Sequence, residues 1–373
     1  MPKLPELKAW SSLYRPLVLG LTETWLRPAV NSSELSLQGY ALFRCDRVGS
    51  SYGGVVLYIA DELKPSLVAS VADPDGQFEM IWARSHPSLG PPVLFGVLYR
   101  SPSCSSSSWV DSLRDFSQQN RLCVMGDFNC PHVCWDSLTA TQGASEADLH
   151  LLDFSIEFGL SQLIRMPTRY TPSGHSCRDL LFYTPNLEIN NARCTDPIST
   201  SDHSLVLADF RPPANQLQPP RQVRNFWKID IPLLHSLAAA IPWSQLVTDD
   251  IDASWSHFKS MIEFLTSQCV PLATPSTALR RPPWLTRDIR HLLAARRRAW
   301  KSFTSSGSHQ SYAVYRSLRN RCKSLISRSR ADYEKNLLLN AATQPRRLFA
   351  YLNRRRKLPG GIPTLNSLDG AAI

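Results

Sequence analysis

The chain has no long apolar run. Its longest strand-like stretch, Val55 to Ala60, falls far short of the ~18 residues a membrane helix needs, so no membrane partner is expected. The N-terminus lacks the charged head and apolar stretch of a secretory leader, which argues against export. None of the nine cysteines forms a C-x-x-C pair. The nearest approach to a metal cluster is Cys130, His132, Cys134, and two further ligands at zinc-finger spacing are missing. Reduced thiols and an intracellular location are therefore expected. Acids are scarce in one region: Arg280 to Lys357 holds 21 Lys or Arg against Asp288, Asp332 and Glu334. The rest of the 373 residues holds 20 basic and 28 acidic residues, so the formal charge of +10 conceals an acidic part joined to a strongly basic one. Such asymmetry points to a polyanionic partner.

Proline marks the joints. Arg211 to Arg224 reads RPPANQLQPPRQVR, without acids or apolar periodicity, which is a linker signal, and a second proline cluster spans Pro271 to Pro283. The expected organisation is one domain over residues 1–212, a linker and middle segment over 213–279, basic helices over 280–357 and a tail over 358–373.

Within the first part, Val18 to Leu21, Gly54 to Ile59, Phe78 to Ala83, Val93 to Tyr99, Leu122 to Met125, Asp179 to Phe182 and Ser204 to Phe210 read as strands, apolar and bounded by Gly, Pro or Ser. Trp109 to Phe116 and Glu146 to Phe158 read as helices, the second expected to bury Leu149, Leu152 and Ile156. Many strands with few helices predict a layered α/β fold rather than a regular βαβ repeat. In the basic region Leu285, Ile289, Leu292, Arg296, Trp300 and Phe303 recur at three or four. After the Ser-Ser-Gly-Ser break at 305–308 the period resumes with Tyr315, Leu318, Cys322, Leu325 and Tyr333. Two amphipathic helices are expected, and a short third one after Pro345.

Four segments put polar residues where apolar strands end: Thr22-Glu23-Thr24-Trp25, Gly126-Asp127-Phe128-Asn129, Arg178-Asp179, and Ser201-Asp202-His203-Ser204. If the strands lie side by side, Glu23, Asp127, Asp179 and Asp202 converge at one sheet edge with Asn129 and His203. An oxygen-rich pocket with one imidazole suits Mg²⁺ or Mn²⁺ rather than zinc. Singly, each acid has a plainer reading: Glu23 as a helix-capping acid, Asp127 as a turn residue, Asp202-His203 as a surface pair. That reading must hold four separate times to explain the set.

The GDFN, SDH and TETW motifs and the strand ending LYRSP resemble the endonuclease/exonuclease/phosphatase superfamily. They are most similar to the apurinic-endonuclease-like domain of non-LTR (LINE-type) retrotransposons, as is the stretch Thr168-Arg169-Tyr170 to Ser176-Cys177-Arg178-Asp179-Leu180-Leu181. The resemblance covers about residues 1–210. It implies a four-layer α/β sandwich of two packed mixed sheets flanked by helices, followed here by the basic helices. It further implies that Glu23 ligates the metal and that Asp127 orients or deprotonates the attacking water with Asn129. Tyr99 would contact the scissile phosphate, Asp179 would hold His203, and His203 would donate to a phosphate oxygen. Asp202 would be a second acid near the metal, with Ser201, Thr171 and Arg169 as phosphate or DNA contacts.

The chain departs from that family at its start. Leu4, Leu7, Trp10 and Leu13 already read as the helix after the family's first strand, so that strand and its metal-side Asn are expected to be absent, exposing backbone on the neighbouring strand. The sequence contains no Tyr-x-Asp-Asp polymerase box, and Asp249-Asp250 sits in a polar stretch, so a fragment without its own reverse transcriptase is expected. The leading expectation is a metal-dependent DNA endonuclease that nicks one strand and leaves a 3′-hydroxyl for reverse transcription. DNA would be its partner, element RNA a further one, and the nucleus its place of action. The alternatives are a phosphatase of the same superfamily and a remnant that only binds nucleic acid. Arg296, Arg297, Arg298, Arg354, Arg355 and Arg356 of the basic helices are expected to make sequence-independent contacts to a nucleic-acid backbone, and that cationic surface argues against the phosphatase alternative.

Overall fold

In the computed structural model the described residues are 3–47, 49, 52–86, 91–118, 121–171, 174–211, 223–246, 248–273 and 282–356. The chain divides into two compact units, residues 1–215 with 280–373, and residues 216–279. No helix among the described residues is long and apolar enough to cross a membrane.

The larger unit opens with α1 (Leu4–Tyr14), β1 (Val18–Leu21), α2 (Ser32–Leu35), β2 (Tyr40–Cys45), β3 (Val55–Ala60), β4 (Ser66–Ala72), β5 (Phe78–Ser85) and β6 (Val93–Arg100). There follow α3 (Ser108–Ser117), β7 (Leu122–Asp127), a short hairpin of β8 (Val133–Cys134) and β9 (Thr139–Ala140), α4 (Glu146–Glu157) and β10 (Ser161–Gln162). A second hairpin, β11 (Arg169–Thr171) and β12 (Gly174–Ser176), precedes β13 (Asp179–Tyr183), β14 (Glu188–Thr195) and β15 (Leu205–Arg211). The smaller unit holds β16 (Val223–Arg224), α5 (Ile231–Ala240), α6 (Ile251–Cys269) and β17 (Leu272–Ala273), with β16 paired to β17. Back in the larger unit come α7 (Arg287–Ser306), α8 (His309–Leu339) and α9 (Pro345–Arg356).

The main sheet runs β10-β13-β7-β6-β5-β4, with β6 and β7 parallel and its other pairs antiparallel. A facing layer holds β1-β3-β2 and β14-β15. Strand alternation builds the layers. Val93, Phe95, Val97 and Tyr99 of β6 meet Val55, Leu57 and Ile59 of β3 between the sheets, while Leu94 and Leu98 face Trp109, Leu113, Leu151 and Phe154 of the helices. On the far side Val56 and Tyr58 of β3 pack on Leu4, Leu7 and Trp10 of α1. Because both faces are covered, every residue of β3 and β6 is buried, which explains their unbroken apolar runs. The result is a layered α/β sandwich of two packed sheets flanked by helices.

Among the described residues β1 bonds only to β3 and β15 only to β14. A cavity of about 950 Å³ is lined by both strands and by α1. Two buried hydroxyls on its wall, Thr24 Oγ1 and Ser204 Oγ, have no hydrogen-bond partner.

Two sequence expectations change. In α4 the buried residues are Asp148, Leu151, Leu152, Phe154 and Ser155, so Leu149 and Ile156 fall on the flank of that face and are exposed at 45% and 56%. Asp148 sits inside because its carboxylate closes a capping box with Ser145 and accepts the His132 amide at 3.0 Å. The second change concerns Arg296, expected on the solvated basic face. It is 3% exposed and binds Glu6 of α1 and Asp196, with Nη2 to Asp196 Oδ2 at 2.7 Å. Its place in the apolar row with Ile289 and Trp300 put it on the buried side, where a guanidinium requires paired carboxylates. The α7–α8 hairpin thus packs on the domain, with Trp284, Leu285, Ile289 and Ile326 against Ala9 of α1.

Candidate active site

The main-sheet register assembles the site. Glu79 lies opposite Tyr99, Tyr99 opposite Asp127, and Asp127 opposite Asp179, so four neighbouring strands present one polar row. Gly126 permits this at β7. A Cβ there would fall 1.8 Å from the Leu98 carbonyl oxygen, and its φ of +151° is a conformation only glycine takes readily. Beyond the strand, Asn129 holds a positive φ of 50°, and its amide donates to Asp127 Oδ1 at 3.2 Å. His203 arrives from the turn before β15. It forms an isolated bridge with Arg169, and its amide donates to Ser201 Oγ at 3.2 Å.

Asp127, Asp179 and His203 offer ligand atoms within 4.8 Å of one another. His203 Nδ1 lies 2.7 Å from Asp179 Oδ2, and Nε2 lies 4.0 Å from Asp127 Oδ2. Asp127 is 2% exposed, and burial followed by the Asp179 charge pushes its carboxyl up to about 7. Burial works to lower the His203 pKa, but the Asp179 hydrogen bond and the surrounding carboxylates outweigh it and raise it to about 9. His203 is therefore a cationic donor at neutral pH, while Asp127 stands near the pKa suited to a general base.

The remaining predicted residues are placed as follows. Glu23 and Asp202 stand outside that tight cluster. Glu23 accepts the Tyr99 hydroxyl at 3.1 Å, and burial and then Glu23 raise the tyrosine pKa. Asp202 binds Arg169 at 2.8 Å; burial acts against its ionisation, but Arg169 and His203 hold its pKa below the usual value. Glu23, Tyr99, Asp127, Asn129, Arg169, Asp202 and His203 all border one cavity of about 400 Å³. Ser201 shapes the His203 turn and is not on that wall. The Thr171 backbone lies in β11, but its side chain is outside the described residues, as are the side chains of Arg354, Arg355 and Arg356 at the end of α9. Arg297 is half-buried against Tyr14 and Asp196, and Arg298 is exposed on α7.

Four participants carry no role in the sequence reading. Arg178, next to Asp179 in the quoted motif, donates to Asn129 Oδ1 at 2.7 Å. Thr168 is fully buried, and its hydroxyl accepts the amides of Arg178 and Asp179 at 3.1 and 3.0 Å. Glu79 is fully buried and pairs with Arg47, whose guanidinium carbon lies 5.2 Å from the Tyr99 ring centroid. A glutamate inside the apolar run Phe78 to Ala83 was the available signal for it.

The donor set tests the fit of a divalent cation. Glu23 and Asp127 bring carboxylate oxygens to one cavity, and Asp179 adds a like charge whose repulsion a cation would relieve. Such a hard, oxygen-rich set fits Mg²⁺-like ions. Asp127, Asp179 and His203 thus form a cluster that could hold a divalent ion.

A family model described as endonuclease-reverse transcriptase matches residues 93–207, a span that contains Tyr99, Asp127, Asn129, Asp179 and His203. Comparison with curated proteins gives no match. Among solved structures, the endonuclease domain of TRAS1, a telomere-specific non-LTR retrotransposon, is 16% identical, covering 56% of this chain and 91% of its own, with a TM-score of 0.42. The 3′ phosphatase NExo from Neisseria, solved bound to product DNA hairpin, is 15% identical over 56% and 94%, with a TM-score of 0.43. An endonuclease/exonuclease/phosphatase family protein from Leptotrichia buccalis is 13% identical over 56% and 92%, at 0.40. The GDFN, SDH and LYRSP motifs and the matched family model point to the same stretch, residues 93–207, as similar to an endonuclease-reverse transcriptase domain.

Proposed function

We propose that the domain is a divalent-metal-dependent DNA endonuclease that nicks one strand and leaves a 3′-hydroxyl from which reverse transcription can start, acting in the nucleus. The observation that carries this reading is the Asp179–His203–Asp127 row, a fixed cationic donor beside a carboxylate of raised pKa. Asp127 takes the proton of the attacking water as the new P–O bond forms. His203 Nε2–H donates to a non-bridging phosphate oxygen, with Nδ1–H held by Asp179, and neutralises charge as it builds. The P–O3′ bond breaks, giving a 5′-phosphate and a 3′-oxygen that is protonated from solvent. A divalent ion held by Glu23 and Asp127 would supply an acidified water and counter-charge.

Long-range attraction would come from the helical hairpin, where Arg298, Lys301, Arg316, Arg321, Arg328 and Lys335 are exposed. A small phosphate ester needs no such surface, which favours a polynucleotide substrate over a phosphomonoester. Supercoiled plasmid with Mg²⁺ should be converted to the nicked circle by the wild-type chain and not by Asp127→Asn or His203→Ala. Release of inorganic phosphate from small phosphomonoesters without plasmid nicking would replace this reading with the phosphatase one.

A further inference from the structure

We infer that Arg178 is a positioning residue for Asn129: it locks the Asn129 side-chain amide in the orientation that offers an N–H, and not the carbonyl oxygen, to a ligand in the cavity of about 400 Å³. What that N–H does in turnover rests on the nuclease reading above, whereas the orientation itself stands on the bonds of this chain. Asn129 borders the cavity and Arg178 does not. Arg178 therefore meets a ligand through Asn129 rather than directly.

Two neighbours fix the amide, and each admits one assignment. Arg178 Nη1 lies 2.7 Å from Asn129 Oδ1. A guanidinium has donors and no acceptor, so the group facing it must be the carbonyl oxygen. Asn129 Nδ2 lies 2.7 Å from the Arg100 carbonyl oxygen, which can only accept, so the group facing it must be the NH₂. A flipped amide would set N–H against guanidinium and carbonyl against carbonyl. With one Nδ2 proton given to Arg100, the second remains for a ligand. Oδ1 is already engaged by a cation and is a poor acceptor for the proton of a water.

The lock is anchored in the chain. Arg178 Nε donates to Ser176 Oγ at 3.0 Å, and the Arg178 amide donates to Thr168 Oγ1 at 3.1 Å. The Arg178 carbonyl accepts the Phe128 amide at 3.0 Å, joining the residue before Asp179 to the residue between Asp127 and Asn129. Asn129 is buried, and its carbonyl accepts Arg100 Nη1 at 3.4 Å. Its φ of 50° is a left-handed value that persists where surrounding bonds impose it. The Asn129 amide donates to Asp127 Oδ1 at 3.2 Å, so one residue both braces the Asp127 carboxylate and offers the cavity a donor.

Separate roles follow for the two side chains. Asp127 accepts the proton of the attacking water. Asn129 Nδ2–H donates to an oxygen lone pair, on that water or on the phosphate, where negative charge builds. The Asn129→Asp side chain keeps nearly the same shape and can still bind Arg178, but it brings no donor and sets a carboxylate oxygen against the Arg100 carbonyl.

The test compares nicking of supercoiled plasmid with Mg²⁺ by the full chain and its variants, with DNA affinity read separately in EDTA. Asn129→Ala and Asn129→Asp should each slow nicking by about a hundredfold. Arg178→Met should slow it by about tenfold or more while affinity stays within about twofold. The double variant Asn129→Ala/Arg178→Met should match Asn129→Ala within about twofold, because one residue acts through the other. The lock is also read without turnover, by NMR of the full chain carrying isotopic nitrogen at asparagine. The Asn129 side-chain proton pair is identified by its loss in Asn129→Ala. One proton of the pair should exchange slowly with solvent in the wild type and about tenfold or more faster in Arg178→Met. Near-normal nicking by Asn129→Asp would overturn the inference, as would a double variant slower than Asn129→Ala by the full Arg178→Met factor. Weakened DNA affinity in Arg178→Met, or an Asn129 proton pair unchanged by it, would do the same. A wild-type chain that fails to nick defeats the nuclease reading, and the proton exchange then decides the orientation alone.

Discussion

Replacing Arg296 by methionine should destabilise the larger unit by about 3–5 kcal/mol, the usual loss when one partner of a buried ion pair is removed. Arg296 is 3% exposed, and its partners Glu6 and Asp196 are 4% and 5% exposed, so no solvent is at hand to replace the guanidinium. Arg296 Nε and Nη2 bind Asp196 Oδ2 at 2.8 and 2.7 Å, and Nη1 binds Glu6 Oε1. After substitution Asp196 keeps the Thr195 hydroxyl at 2.9 Å but, for charge, the longer Arg297 contact at 3.3 Å, while Glu6, whose Oε2 already lacks a partner, loses its cation. Methionine retains apolar stem volume, so the loss reports charge rather than a cavity. In a unit of this size it should lower the melting temperature by roughly 6–15 °C, read by calorimetry or urea titration of the full chain. The triple variant Glu6→Gln, Asp196→Asn, Arg296→Met should regain most of the loss, since no buried charge then remains unpaired. A single-variant change below about 1 kcal/mol, or a triple variant no better than the single one, would refute the view that this triad fixes the basic hairpin to the domain.

Asp127→Asn should reduce plasmid nicking by about a thousandfold or more while DNA affinity in EDTA stays within about twofold, as expected for a group acting in chemistry rather than binding. Stability in EDTA should fall as pH rises: Asp127 goes from 3.8 to about 7 and His203 from 6.5 to about 9 on folding, so the folded chain holds more protons. That contribution is complete below about pH 4, is lost through pH 7 and then pH 9, and should be flattened in Asp127→Asn/His203→Gln; a stability that climbs over this range contradicts the site electrostatics. Gly126→Ala should cost about 3 kcal/mol or more by calorimetry, because its Cβ meets the Leu98 carbonyl; near-normal stability would show that β7 has room there. Hydrogen exchange should find alternate amides of β1 poorly protected, since among the described residues its pairing is to β3 alone, and uniform protection along Val18–Leu21 would contradict an open edge.

What the sequence made legible follows a physical rule. Strands buried on both faces announce themselves as unbroken apolar runs, and so β3, β5, β6, β7 and β13 stand within two residues of their expected ends. Strands covered on one side carry a diluted signal. β4 (SLVASVA) and β14 (EINNARCT) are each about half exposed, and neither registers as a strand from composition. The same dilution misplaces the buried face of α4: with apolar residues at 149, 151, 152, 154 and 156, three faces compete, and a buried Asp148 decides between them only once its capping box is seen.

The site follows a different rule, because its acids are set by register rather than by local pattern. Asp127 and Asp179 are each the last or first residue of a strand, and their pairing across β7 and β13 follows from the in-register match of Val124 with Phe182 and Met125 with Leu181. Once the apolar residues fix that register, the two carboxylates have no choice but to meet, and a one-residue slip would separate them and expose the apolar set together. Glu79 and Tyr99 extend the row by the same logic, yet Glu79 had no motif to mark it. Arg296 shows the limit: its partners lie 290 and 100 residues away, in α1 and just after β14, and no local period encodes a charge meeting another at that distance. Chemistry-bearing residues at the ends of buried strands can therefore be read early, because burial that defines the strand also fixes its neighbours. Charges that join separate elements become visible only when the elements are docked.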